Sequence, residues 1–116
     1  MTLDDAIDAP QIQTLRQGDT DGVRIDYTDY LRSGETLSSV TSVTITGGST
    51  NVTPSAAAVS TGSLTILGQT VDTAKAITFT VTVGSTAAAG LYTATVTAAT
   101  SNSRTGVRRV GFNVVA

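Results

Sequence analysis

The feature that most constrains this chain is a strict alternation of apolar side chains with threonine. Within residues 75–83, Ile77, Phe79, Val81 and Val83 are separated from one another by single threonines. Successive side chains of a β-strand point to opposite faces, so this pattern predicts a strand with one face in a core. Thr is also the most abundant residue, at 23 of 116, and its branched Cβ favours extended backbone. We therefore predict an all-β protein.

The same alternation recurs in short segments along the chain. These segments span residues 23–27, 37–45, 52–59, 64–66, 91–99 and 109–114. A change of parity between Leu37 and Val43 predicts bulges, and Pro54 predicts an edge strand because proline has no N–H for a ladder. About seven short antiparallel strands without an amphipathic helix are typical of a β-sandwich. The residues with the cleanest inward alternation, which we predict to form the core, are Ile77, Phe79, Val81, Val96, Val110 and Phe112.

Charge divides the chain into an acidic leader and a mildly basic body. Residues 1–30 hold seven aspartates and two arginines, whereas residues 31–116 hold two acids and five basic residues. Residues 1–21 show no clear period, and we interpret them as an N-terminal docking arm ahead of one sandwich domain at residues 22–116. We expect the arm to bind a neighbouring subunit rather than its own domain, with charge setting the register. Its predicted partner-binding residues are Asp4, Asp5, Ile7, Asp8, Ile12 and Leu15.

The residue types that most catalytic and metal sites need are scarce in this sequence. The chain has no His, Cys or Trp, and only one Lys and one Glu. Without His it lacks the side chain that titrates most easily near neutral pH and the commonest metal ligand. Without Cys it can form neither disulfides nor thiolate sites. The apolar runs are too short to span a membrane, and the acidic start is unlike a signal peptide. We predict a soluble, non-enzymatic protein without a cofactor, a metal or a membrane partner.

Two groups of aspartates resemble functional motifs only in part. Asp19-Thr20-Asp21-Gly22 opens like a calcium loop, but the twelfth position, where an EF-hand needs a bidentate acid, is Tyr30. Asp26 and Asp29 could form an acid–base pair, but no neighbouring group is evident that would give them different roles. We interpret both groups as turn-forming or capping residues, or as partners of the flanking arginines.

Arg104, Arg108 and Arg109 form the one basic cluster in the sequence. Phosphate contacts dominate nucleic-acid binding, which makes nucleic acid one possible partner. The formal net charge is nevertheless −2, and the sequence contains no recognised nucleic-acid reader motif. We therefore expect these arginines to bind carboxylates of a partner protein or of the acidic arm of a second copy, and we expect no nucleic-acid partner.

The segment Gly90-Leu91-Tyr92-Thr93-Ala94 resembles part of immunoglobulin-type domains. In those domains a tyrosine near the start of the sixth strand anchors a corner, two residues before the second core cysteine. The resemblance implies that Tyr92 is the corner tyrosine and that Ala94 takes the cysteine position. Because the cysteine pair and the core tryptophan are absent, it implies an immunoglobulin-like β-sandwich of the broader class and not an antibody domain.

Two longer stretches within residues 22–115 resemble small virion proteins of tailed bacteriophages. One contains Ile25-Asp26-Tyr27, Asp29-Tyr30-Leu31 and Gly34-Glu35-Thr36-Leu37-Ser38-Ser39, and the other contains Ala89-Gly90-Leu91-Tyr92, Val96-Thr97, Asn102-Ser103-Arg104, Arg108-Arg109 and Phe112-Asn113-Val114. The chain departs from that pattern in lacking a tryptophan in the second strand, where Val43 takes its place. The resemblance implies a structural protein of the virion, an adaptor that joins fibres to the tail by binding other virion proteins and copies of itself.

Two other functions remain open from the sequence. A capsid decoration protein would use the same kind of β-faces to clamp the shell. A carbohydrate- or cell-binding module of a surface protein would need exposed aromatic residues in loops, whereas Tyr27, Tyr30 and Tyr92 all lie in or beside predicted strands. The sequence leaves open the station on the virion, the copy number and the symmetry.

Overall fold

A computed structural model describes residues 13–66 and 68–116 of the chain, and the regular elements in this part are all β-strands. The strands are β1 (Gln13–Arg16), β2 (Thr20–Asp26), β3 (Leu37–Thr46), β4 (Val52–Val59), β5 (Leu64–Ile66), β6 (Gln69–Val71), β7 (Ala76–Val83), β8 (Gly90–Thr100) and β9 (Thr105–Val115). The all-β prediction is confirmed, although the described part holds nine strands instead of about seven. Within it, no helix is long and apolar enough to cross a membrane.

The strands form two main sheets and a small hairpin. One sheet has the order β1-β9-β8-β3, the second has the order β2-β7-β4, and β5 pairs with β6. Side chains from both main sheets lie in one hydrophobic core, so the architecture is β-sandwich-like. All pairs are antiparallel except β1 with β9, which is parallel. The prediction of purely antiparallel pairing is therefore wrong at this edge.

The core follows the alternation seen in the sequence. On β7 the side chains of Ile77, Phe79, Val81 and Val83 are buried, and the intervening threonines are more exposed. On β8 the buried positions likewise alternate from Tyr92 onward. The predicted core is confirmed: Ile77, Phe79, Val81, Val96, Val110 and Phe112 are each no more than 5 % exposed.

The irregular strands also lie where the sequence places them. β4, which contains Pro54, is an edge strand, and its register with β7 shifts between Ser55 and Ala58. The bulges predicted in β3 are confirmed, because its register with β8 shifts between Leu37 and Ser39 and again between Val40 and Ser42.

The boundary of the N-terminal arm requires a correction. β1 pairs with β9 of the same chain, and β2 already begins at Thr20, so residues 13–21 belong to the domain. Leu15 is only 2 % exposed and is a core residue, not a partner-binding residue. β1 has the sequence Gln-Thr-Leu-Arg with a single apolar residue, so it shows no alternation from which a strand could be predicted. Asp4, Asp5, Ile7, Asp8 and Ile12 lie outside the described residues.

Candidate functional site

The predicted basic residues lie at one end of the sandwich, where the connection between β2 and β3 contacts the β8–β9 hairpin. Tyr27 is buried and continues the inward row of β2, so the chain that follows it is directed over the first residues of β9. The contacts made there join residues up to 79 positions apart in the sequence. We call this group the arginine–tyrosine cluster, and its members are Tyr27, Asp29, Tyr30, Glu35, Thr100, Arg104 and Arg108.

Glu35 is the centre of the arginine–tyrosine cluster, and its side chain is fully buried. Its Oε1 atom accepts hydrogen bonds from Nη1 of Arg104 and from the backbone N–H of Arg32, both at 2.9 Å. Its Oε2 atom accepts a hydrogen bond from the hydroxyl of Thr100 at 2.6 Å. A buried charge is costly unless it is paired and hydrogen-bonded, and here both carboxylate oxygens are satisfied.

These contacts hold the pKa of Glu35 below its ordinary value of 4.5. The first cause is the hydrogen bond from the backbone of Arg32, and the second is the hydrogen bond from Thr100. Burial acts in the opposite direction, while the positive charges of Arg104 and Arg32 lower the pKa further. Glu35 therefore stays ionised near neutral pH and serves as an acceptor for fixed donors, not as a proton donor.

The turn between β8 and β9 places Arg104 over the β2–β3 connection. The backbone N–H of Thr100 donates to the carbonyl of Arg104 at 2.9 Å, and the backbone N–H of Arg104 donates to Oγ1 of Thr100 at 3.1 Å. The guanidinium carbon of Arg104 then lies 4.3 Å from the centroid of the Tyr30 ring, and Nη2 donates to the Tyr30 carbonyl at 3.2 Å. One arginine thus binds a carboxylate, an aromatic face and a backbone carbonyl of the same connection.

Arg108 contacts both tyrosine rings of the cluster. Its guanidinium carbon lies 5.5 Å from the ring centroid of Tyr27 and 5.3 Å from that of Tyr30, and the two rings meet edge to face. Its Nη2 atom is 3.3 Å from Oδ1 of Asp29, whose side chain is 80 % exposed. Because Asp29 is well solvated, this ion pair contributes far less stability than the pair at Glu35.

The tyrosines are fixed by their hydroxyl groups and by a glycine. The hydroxyl of Tyr27 donates to the carbonyl of Val96 at 3.1 Å, and that of Tyr30 donates to the carbonyl of Thr105 at 2.7 Å. The Tyr30 ring lies directly on Gly106, where an added Cβ would come within 2.7 Å of the ring. The end of the sandwich therefore has a closely packed arrangement that depends on a residue without a side chain.

The structure gives the predicted basic residues different roles. Arg104 and Arg108 bind carboxylates of the same chain, and their predicted binding of a partner stays a prediction. Arg109 is exposed on the outer face of β9, and its partner-binding role stays a prediction. Sequence reasoning missed Glu35 and Thr100, because their partners are more than 60 positions away and no local spacing indicates the contact.

The aspartates mostly act as predicted in turns. Oδ1 of Asp26 accepts the backbone N–H of Thr28, and Oδ2 of Asp19 accepts the backbone N–H of Arg16, both at 2.8 Å. Asp29 differs, because it pairs with Arg108 and not with a flanking arginine. Across residues 13–66 and 68–116, no three Asp, Glu, His or Cys side chains are grouped so that they could hold a metal ion.

Tyr92 fixes a second corner of the sandwich. It is 1 % exposed, and its hydroxyl donates to the carbonyl of Ala88, four residues upstream, at 2.7 Å. The same hydroxyl lies 2.9 Å from Oγ of Ser49, and the ring packs directly against Gly47. The turn between β3 and β4 is thereby held against the start of β8.

Comparisons with known proteins add no relative. No protein-family model matches the chain, and no curated protein matches it either. The fold and the contacts within it are therefore the basis for the functional proposal that follows.

Proposed function

We propose that this protein is a non-enzymatic, immunoglobulin-like structural protein of a tailed-phage virion, an adaptor that joins fibres to the tail. The observation that carries the proposal is the arginine–tyrosine cluster. The two stretches that resemble phage virion proteins are distant in sequence, yet their distinctive residues contact one another there. Tyr27, Tyr30 and Glu35 come from the first stretch, and Arg104 and Arg108 come from the second. This contact supports interpreting the two stretches as one signature of a shared fold.

The strand order supports the immunoglobulin-like part of the proposal. In that fold, strands B, E and D share one sheet and strands C, F and G share the other. Here β2, β7 and β4 would be B, E and D, and β3, β8 and β9 would be C, F and G. Tyr92 lies near the start of β8, two residues before the buried Ala94, and bonds to the backbone upstream, as a corner tyrosine does.

The chemistry of the arginine–tyrosine cluster favours a structural role over catalysis. Glu35 is ionised, fully buried and bonded at both oxygens, so it is not accessible to a substrate. The cluster instead fixes the β2–β3 connection on β9, which gives the domain a rigid end. A rigid domain repeated in many copies can join larger parts through contact area and multivalency, without any reaction.

Particles of the phage that encodes the chain provide the test. Mass spectrometry of purified virions should detect the protein, and an antibody against the domain should label the junction of tail and fibres in electron micrographs. Antibody that has been saturated with the purified domain is the matched control and should leave the junction unlabelled. Absence of the protein from purified particles would overturn the proposal, and label over the capsid surface would replace the adaptor with a decoration protein.

A further inference from the structure

We propose that the outer edge of β3 is a self-docking site, through which two copies of the chain pair antiparallel along Ser42–Thr46. Pairing of this kind would join the two four-stranded sheets into one continuous sheet of eight strands. An edge strand presents unpaired N–H and C=O groups, which makes it a template for a further strand. The proposal rests on three features: β3 lacks the protective residues of the other edges, a groove lies beside it, and it carries no charge.

The other edges of the main sheets carry features that block strand addition. β1 has only four residues, and β2 carries charged side chains, including Arg24, along its length. β4 contains Pro54 and an irregularity at Ala56, whose φ is +55°. Proline, bulges, charges and short length are the devices by which proteins protect sheet edges. β3 has neither proline nor charge, and its two bulges lie before Ser42, so it pairs in regular register with β8 from Ser42 to Thr46.

Apolar side chains on the inner face of β3 are only partly buried beside this edge. Val43 and Ile45 belong to the inward row, opposite the buried Val96 and Ala94 of β8, yet neither is fully buried. They border an open groove of about 580 Å³ between β3 and β4. A strand added to β3 would bring its own inward side chains over this groove and cover both residues.

The segment is complementary to itself in antiparallel pairing. With Thr44 opposite its own copy, Ser42 lies opposite Thr46 and Val43 lies opposite Ile45. The outer face would then hold hydroxyl side chains from both copies, and the inner face would hold a row of β-branched apolar residues. Cross-strand pairs of both kinds stabilise a sheet. No register across this segment brings two like charges together, because the segment carries none.

Charge favours a second copy over an acidic extended segment as the occupant. None of the residues of β3 or of the groove is basic, so an acidic strand would gain no ion pair there. The acidic residues of the chain's own N-terminal part would therefore lose solvation without compensation. An uncharged strand of alternating hydroxyl and β-branched side chains fits this edge, and β3 itself is such a strand.

Sedimentation velocity of the full chain over micromolar to millimolar concentrations tests the proposal. The wild type should show a monomer–dimer equilibrium in this range. The variant Ser42→Lys/Thr44→Lys places lysines opposite or diagonal to lysines of the second copy and should weaken dimerisation by about tenfold or more. The matched control is Gln69→Lys/Thr82→Lys, which adds the same charge at exposed sites outside β3 and should dimerise as the wild type does.

A charge-complementation arm makes the test specific to the edge. Ser42→Glu/Thr44→Glu should also be monomeric by itself, whereas an equimolar mixture with the lysine variant should form a heterodimer. Both altered residues are exposed, so both variants should melt near the wild-type temperature. A wild type that stays monomeric throughout, a lysine variant that dimerises like the control, or a mixture that forms no heterodimer would each overturn the proposal. None of these outcomes depends on the virion function.

Discussion

The arginine–tyrosine cluster and the β3 edge use their polar groups in opposite ways. In the cluster, Glu35 has every carboxylate oxygen bonded inside the domain, and Arg104 binds three groups of one connection. At the β3 edge, the backbone from Ser42 to Thr46 pairs on one side only among the described strands, and the side chains carry no charge. The charged cluster is therefore closed, whereas β3 is an uncharged strand at the edge of its sheet.

The comparison shows that charged residues of a sequence can be paired within the domain. Burial of Glu35 makes Arg104 an internal partner, because the buried carboxylate needs its donor. A neutral edge strand becomes available because nothing repels a further strand. A partner surface can thus be encoded by the absence of protective residues as well as by the presence of attractive ones.

The largest expected effect comes from the core that supports both regions. Phe79→Ala should lower the free energy of unfolding by about 3–5 kcal/mol, because it empties an aromatic site that is 2 % exposed. The matched control Thr82→Ala, on the exposed face of the same strand, should change it by less than about 0.5 kcal/mol. Urea unfolding measures both. If both variants lost the same free energy of unfolding, the inner and outer faces of β7 would not differ in packing. The description of the core that supports both regions would then be wrong.

A pair of arginine variants tests whether the cluster is closed as described. Arg104→Met removes the guanidinium that is paired with the buried Glu35 and should cost about 3 kcal/mol of unfolding free energy. Arg108→Met loses a pair with the exposed Asp29 and its contacts with two rings, and should cost about 1 kcal/mol. Thermal and urea unfolding of the two variants provide the measurement. If Arg108→Met lost more free energy of unfolding than Arg104→Met, the solvated pair with Asp29 would be the more important contact, which would contradict the description of the cluster.

The pH dependence of stability isolates Glu35 within the cluster. Its pKa is lowered in the folded protein, so its ionisation stabilises the fold fully above its ordinary value of 4.5. That stabilisation should be lost progressively as the pH falls below 4.5 towards and through the lower folded-state pKa. Melting temperatures of the wild type and of Glu35→Gln, measured from neutral to acidic pH, should therefore converge as the pH falls. A constant difference at every pH would show that Glu35 does not contribute through its charge.

The smallest expected effect is a gain in the free energy of unfolding from a change in the β8–β9 turn, next to Arg104. Ser103 has a φ of +60°, a left-handed conformation that costs a residue with a Cβ about 1–2 kcal/mol. Ser103→Gly removes this cost but adds entropy to the unfolded chain, so the net gain should be about 0.5–1 kcal/mol. Asn102→Gly, at a neighbouring position without positive φ, is the control and should give no gain. If Ser103→Gly destabilises the protein, the turn draws its stability from the serine side chain instead.

Much of the fold could be predicted from local pattern, and the exceptions have physical causes. The inward rows of β7 and β8, the bulges of β3 and the edge position of Pro54 follow from side-chain alternation and from the missing N–H of proline. β1 contains a single apolar residue and so no alternation, which is why the sequence pattern places it in an arm. The contact between Glu35 and Arg104 could not be predicted from the sequence pattern, because the two residues are 69 positions apart and no local spacing connects them.

The sequence by itself determined that this chain forms strands, which of their faces are buried, and which catalytic and metal-binding chemistries its composition excludes. These properties depend on neighbours in the chain, and the two-residue period records them directly. The tertiary structure decided which strands meet, that β1 pairs with β9 while the outer edge of β3 has no partner within residues 13–66 and 68–116, and that Arg104 and Arg108 bind carboxylates of their own chain. Those outcomes depend on pairing and burial between segments that are distant in the sequence. The free energy of a charge, or of an unpaired backbone group, depends on the groups and the solvent around it, and only the tertiary structure determines these surroundings.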